Sequence, residues 1–198
     1  MTNQKTLPRQ TWLDLLIVAM AEEFKRDGIK LPKYRATIGL PSRGGLAARN
    51  RTIGQCWYPE ASADGTTEIM VSPTQDVPLD IAQVTLHEMV HATLGAGFGH
   101  RSEFRTIATA CGLVGKMTAT EAGPEFTKRV TPILKRLGKL NHKKLDATIG
   151  VKKQTTRMIK VTCTNHDCGM VFRTSNKWVE ISYSHLDCPL CHTYCDIG

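Results

Sequence analysis

Five of the chain's seven cysteines, Cys163, Cys168, Cys188, Cys191 and Cys195, fall within its last 36 residues. No other feature of the sequence restricts the fold as strongly. A segment of about 38 residues buries too little apolar surface to stand on a core of its own. The pairs Cys163-x4-Cys168 and Cys188-x2-Cys191 offer four thiolates at a spacing suited to one structural zinc ion. An odd cysteine count and the lack of a secretory pattern argue against disulfides. Metal binding would then supply much of the folding free energy of this module. Strands are expected at Ile159–Thr162, Met170–Arg173 and Val179–Ser184. The first pair is wider than the usual two-residue gap, so His166, His185, His192 and Cys195 stay open as substitutes for one thiolate. Cys56 and Cys111 read as ordinary buried thiols.

The rest of the 198 residues has a globular balance, 41% hydrophobic and 22% charged, which excludes a wholly disordered chain. No apolar run approaches the roughly 20 residues of a membrane span. Trp12–Met20 is the best candidate, and it contains Asp14. A cytoplasmic protein with no membrane partner is expected. Charge is distributed unevenly. Residues 1–127 are neutral, whereas residues 128–160 carry 11 basic side chains against Asp146 alone. A belt of this kind neutralises phosphates without reading bases, or else keeps a linker solvated.

Helical periodicity covers residues 12–26, with Thr11 as N-cap and Gly28 as stop. Thr52–Tyr58 and Thr66–Ser72 read as short strands joined through the turn-rich Pro59–Gly65. Asp80–Leu94 is the clearest helix, with Ala82, Leu86, Val90 and Leu94 on one side. Asp80 and Gln83 are placed there for a capping box. A further helix starts after His100, and another is expected over Glu121–Leu137 despite Pro124 and Pro132. Residues 138–160 read as a mobile connector. Trp12 and Trp57 are expected in the core, and Phe172, Trp178 and Tyr183 are available for stacking on bases.

His87, Glu88 and His91 form H-E-x-x-H on that clearest helix. The i, i+4 spacing puts both imidazoles on one face, within reach of one metal ion. Zinc accepts two neutral imidazoles and one more ligand while keeping a position for water. Glu88 then stands where it can take that water's proton. His100 follows the glycine-rich break L-G-A-G-F-G, which lets the chain reverse over the metal, and Glu103 competes with it as third ligand.

H-E-M-V-H-A-T-L followed by G-H-R-S-E-F resembles the SprT-like family, which includes the Spartan proteases acting on DNA-crosslinked proteins. The resemblance runs over about residues 10–195, although the loop between the second and third histidines is shorter here than in Spartan-type members. It implies His100 as the third ligand. It also implies an α+β chain with a small zincin-like metalloprotease domain (1–137), a basic connector (138–158) and a β zinc-ribbon module (159–198). One catalytic zinc would sit on His87, His91 and His100, with Glu88 as general base. One structural zinc would sit on Cys163, Cys168, Cys188 and Cys191. The expected partner is single-stranded or junction DNA, bound through Lys135, Arg136, Lys139, Lys143, Lys144, Lys152 and Lys153. The expected substrate is a DNA-bound protein, which places the chain at the nucleoid. A DNA-binding or regulatory zinc protein without protease activity is the competing class.

Overall fold

A computed structural model of the chain describes residues 7–47, 49–149, 158–182 and 185–198. The chain forms two compact units, residues 1–149 and 150–198, and is α+β. The first unit opens with α1 (Arg9–Glu23), which buries Trp12, Leu13, Leu16, Ile17 and Met20 on one stripe. The helix begins three residues before the expected start, behind Pro8 and not Thr11, because proline's fixed φ suits the entry to a first turn. A 3-10 turn follows, and Gly28, with φ of 107°, ends it.

Three strands come next: β1 (Tyr34–Ile38), β2 (Gly54–Trp57) and β3 (Thr67–Val71). Their order is β1-β3-β2, with β1 parallel and β2 antiparallel to the central β3. Thr67, Ile69 and Val71 are buried, so one face of β3 packs into the core. β2 lies at the edge, and Trp57 on it is exposed, against the expectation that it is core. An edge strand has one covered face, and Trp57 points off the other.

α2 (Pro78–Leu94) packs on β2 and β3 and runs through the middle of the unit. Ala82, Leu86 and Val90 are fully buried and Leu94 packs against the same core. The helix starts at Pro78 with no side-chain cap, so the capping box expected from Asp80 and Gln83 does not form. Pro78 at N1 needs no hydrogen bond of its own, and Gln83 is used elsewhere. After α3 (Ser102–Ala110) comes an unanticipated hairpin, β4 (Leu113–Lys116) with β5 (Ala119–Ala122). It takes the residues where the last helix was expected to begin. That helix, α4 (Pro124–Leu137), therefore starts with Pro124 at N1 and continues through Pro132. Arg129 on α4 is clamped by Glu23 (2.8 Å) and Asp27 (2.7 Å) and lies 4.2 Å over the Phe24 ring, tying α4 to α1.

The expected mobile connector begins as packed chain. Leu140 and Ala147 are buried, and the Leu145 N–H donates to Pro73 O at 2.9 Å. Arg9 donates to His142 Nδ1, and His142 Nε2 donates to Pro73 O, each at 3.0 Å. Residues 138–149 thus belong to the first unit. Two buried side chains, Leu140 and Ala147, together with the backbone and His142 bonds to Pro73, dock a segment whose charge suggested solvent.

The second unit is a three-stranded antiparallel sheet, ordered β7-β6-β8, from β6 (Ile159–Cys163), β7 (Val171–Thr174) and β8 (Cys195–Ile197). Val179 and its neighbours form a short helix, α5 (Asn176–Ile181), where a strand was expected. Only Val179 of that helix is buried, so a helical turn with one inward side chain satisfies its backbone without a sheet partner. Among the described residues no helix is long and apolar enough to cross a membrane.

Candidate metal centres

α2 ends at Gly95, and Gly95, Gly97 and Gly99 all have positive φ, which a side chain would resist. This tight reversal returns His100 over the helix it has just left. Nε2 of His100 lies 3.1 Å from Nε2 of His87 and 3.1 Å from Nε2 of His91. One ligand nitrogen from each of the three lies within 4.8 Å of the others. Three nitrogens at zinc's bonding distance in a tetrahedral arrangement stand about 3.3 Å apart, so the donors are already close to that triangle. Phe104 of α3 packs against all three rings, at centroid distances of 4.6 to 5.0 Å, and fixes their tilt. Glu103 is not part of the cluster. It is exposed, and Ser102 Oγ donates to it at 2.9 Å.

Burial, with smaller effects from the neighbouring rings, holds His87 down to about 3 and His91 to about 4. Both imidazoles are therefore neutral at physiological pH, the form that binds metal. Glu88 is buried beside them, and desolvation pushes its carboxyl up to about 8. Its closeness to β2 is made possible by Gly54. A Cβ at that position would land on Glu88 Oε1 and 2.7 Å from Val84 Cγ1.

The histidines and Glu88 lie in an open cleft of about 770 Å³. One wall is the β2 side, with Arg51, Gly54, Cys56 and Tyr58; the other is the β4–β5 hairpin, with Thr118 to Glu121. Cys56 is thus a cleft residue and not simply a core thiol, and burial pushes it up to about 12. Cys111 is fully buried, as expected. The strand T-E-I-M-V-S is the central β3, paired on both sides. The edge beside the cleft belongs to β2, because β1 returns to pair with β3 in parallel. Thr120 and Gln83 also belong to the site. His87 Nδ1 lies 2.9 Å from Thr120 Oγ1, and Gln83 donates to the same oxygen. Nothing in the local spacing signals this, since Thr120 is 33 residues from His87.

The second centre stands in the other unit. Cys163 ends β6, Cys168 follows in the turn before β7, and Cys188 and Cys191 flank a second turn closed by Cys188 N donating to Thr193 O at 2.8 Å. The four sulfurs lie within 4.8 Å of one another, with Cys163 3.4 Å from Cys191 and Cys168 3.7 Å from Cys188. Thiolates around one zinc ion are about 3.8 Å apart, whereas a disulfide needs about 2.05 Å. The Thr193 hydroxyl, 3.4 Å from Cys191, draws that thiol down to about 6, towards the thiolate that ligates metal. His166 and His192 are exposed, and His185 pairs with Asp187 at 3.5 Å. Cys195 is buried behind the cluster, in register with Cys163 on the neighbouring strand, and is not one of the four.

Of the basic residues singled out for nucleic acid, Lys135 and Arg136 end α4, and Lys139, Lys143 and Lys144 lie on the docked segment after it. All five are exposed, and none has an acidic partner within 4 Å among the described residues. Lys152 and Lys153 lie outside the described residues, as does Tyr183. Trp178 is 58% exposed, while Phe172 packs against the small core of the second unit. No protein-family model matches the chain, and no match is found among curated proteins or solved structures.

Proposed function

We propose that this chain is a zinc metallopeptidase of the SprT-like kind, a zincin-like domain followed by a zinc ribbon, that cleaves DNA-associated proteins. The observation that carries the reading is the convergence of His87, His91 and His100 beside a buried Glu88 in an open cleft. The donor set suits zinc: three neutral imidazoles at the right separation in one centre and four sulfurs in the other. A purely structural ion would have no use for a buried carboxyl at its side. When bound at the histidines, zinc would acidify water and polarise a carbonyl. Glu88, whose ionised form a cation held at the histidines would favour, takes the proton of the attacking water as the water oxygen bonds to the carbonyl carbon and passes it to the amine nitrogen as the C–N bond breaks. An extended peptide finds unpaired backbone groups on the outer edge of β2.

The exposed lysines of α4 and the following segment would hold the enzyme near phosphates, and Trp178 offers a stacking surface. Cleavage of a DNA-binding test protein, with and without single-stranded DNA, tests the whole reading. Stimulation by DNA is the expected result. Cleavage indifferent to DNA removes DNA from the mechanism, and no cleavage in either condition by zinc-loaded protein removes the protease. Reversing the charge of Lys135, Lys139, Lys143 and Lys144 should lower the slope of log affinity against log salt by up to about four. An unchanged slope would leave these residues without a DNA role. Gly54→Ala should push Glu88 out of place and lower cleavage at least about tenfold, with zinc content unchanged and a stability cost of about 1–3 kcal/mol. Wild-type turnover by that variant would show that Glu88 tolerates displacement.

A further inference from the structure

The β4–β5 hairpin reaches the metal site through one side chain. Thr120, in the middle of β5, is buried and places Oγ1 2.9 Å from His87 Nδ1. Gln83 lies one helical turn before His87, and its Nε2 donates twice to the same residue, to Thr120 O at 2.7 Å and to Thr120 Oγ1 at 2.9 Å. The carbonyl can only accept, which fixes the Gln83 amide with its nitrogen towards the hairpin. Gln83 therefore clamps Thr120 in register, and Thr120 in turn faces the far nitrogen of a candidate ligand.

The imidazole of His87 has two tautomers, and only one serves the cluster. Its Nε2 faces His91 and His100, so the metal-binding form carries its proton on Nδ1. That proton needs an acceptor on the hairpin side of the half-buried ring, where Thr120 Oγ1 lies 2.9 Å away. Of the Thr120 oxygen's two lone pairs, one accepts from Gln83, which leaves the other to accept from Nδ1–H at 2.9 Å. We infer that Thr120, held by Gln83, is a positioning residue that selects the Nδ1–H tautomer of His87 and orients its ring for metal. Partners of this kind on other metal-binding histidines are worth about 10- to 100-fold in metal affinity. The inference rests on the reading of the three histidines as a zinc site, but not on protease activity.

Thr120→Val tests it in the full chain, since valine keeps the branched shape and strand preference and removes only the acceptor. Gln83 keeps Thr120 O as a partner in that variant. Competition with a graded series of chelators should show zinc at the histidine site held about 10- to 100-fold less tightly. The four-cysteine site of the same molecule should be unchanged and serves as the internal control. Thr120→Ser, which keeps the hydroxyl, should stay within about threefold of wild type. In the zinc-loaded protein, the His87 Nδ1 proton should give an exchange-protected NMR signal that Thr120→Val loses and Thr120→Ser retains. Wild-type zinc affinity in Thr120→Val, or an equal loss in Thr120→Ser, overturns the inference, the second because the effect would then be packing. If the valine variant fails to fold, the NMR signal in wild type and the serine variant decides: its absence from both overturns the inference, and its presence in both supports it. A chain that binds zinc in this pattern and yet cleaves nothing would keep Thr120's role and discard the peptidase. A chain whose histidines bind no zinc would discard both.

Discussion

Glu88→Gln is expected to reduce peptide cleavage by about 10²–10⁴-fold while both zinc ions stay bound. Gln has the shape of Glu and still fills the space between α2 and Gly54. It removes the buried carboxyl that can accept a proton from water next to the three histidines. Stability should not fall, because desolvation already works against the carboxylate at this position. The metal-free protein gives a second readout. A carboxyl whose folded value lies near 8, above its ordinary 4.5, makes the folded state hold the extra proton. Stability is then lost as pH rises from about 4.5 through about 8. His87 and His91 are held below their ordinary 6.5, so their contribution runs the other way and is lost as pH falls from 6.5 towards about 3. Of these three groups only Glu88 still contributes a slope between pH 6.5 and 8, as much as ~1.4 kcal/mol per pH unit. Glu88→Gln should abolish that slope in denaturant titrations of the metal-free chain. Retained cleavage would remove Glu88 from the chemistry, and a retained slope would place the titrating group elsewhere.

Cys188→Ala should unfold the second unit. The buried core there consists of Val161, Cys163, Cys188 and Cys195, with a few partly buried residues around it. Such a core cannot offset the ordering entropy of some 40 residues, which is of order 1–2 kcal/mol each for the backbone alone. Metal ligation, worth about 10–16 kcal/mol in comparable small zinc modules, is what remains to hold it. The expected result is one zinc per chain in place of two. The NMR dispersion of β6, β7 and β8 should be lost, while the resonances of α2 are retained. Cys195→Ala is the control. Cys195 is as buried as Cys188 but stands outside the sulfur cluster, so its loss should cost only packing, about 1–2 kcal/mol, and leave zinc at two per chain. Loss of zinc in Cys195→Ala would reassign the ligand set. A folded, two-zinc Cys188→Ala variant would remove the metal from the account of this fold.

Much of the site could be read from short spacings. His87 and His91 share a face because four residues make just over one helical turn, and His100 is only nine residues on, across glycines that turn the chain back. The cysteine pairs lie close in the chain, and any fold of so short a segment brings them near each other. The misreadings have a common origin in longer range. Whether T-E-I-M-V-S is an edge or a central strand depends on where Tyr34–Ile38 returns, and the alternation within a strand is the same in both cases. Val179 to Ser184 has strand-like residues, but a strand needs a partner, and Asn176–Ile181 found its bonds within a helical turn.

By itself, then, the sequence determined the two sets of candidate metal donors, the helix that carries the first and the short chain length that leaves the second unit little core of its own. These follow from local geometry, in which one turn of helix or one tight loop sets the distance. Tertiary structure decided the rest: that β2 and not β3 borders the cleft, that residues 138–149 dock on the first unit, and that Thr120 meets His87 across 33 residues. Those contacts arise when separate elements compete to bury the same core surface. No spacing in the chain encodes the outcome of that competition, so a hydroxyl facing the half-buried imidazole of His87 becomes visible only once the hairpin is in place.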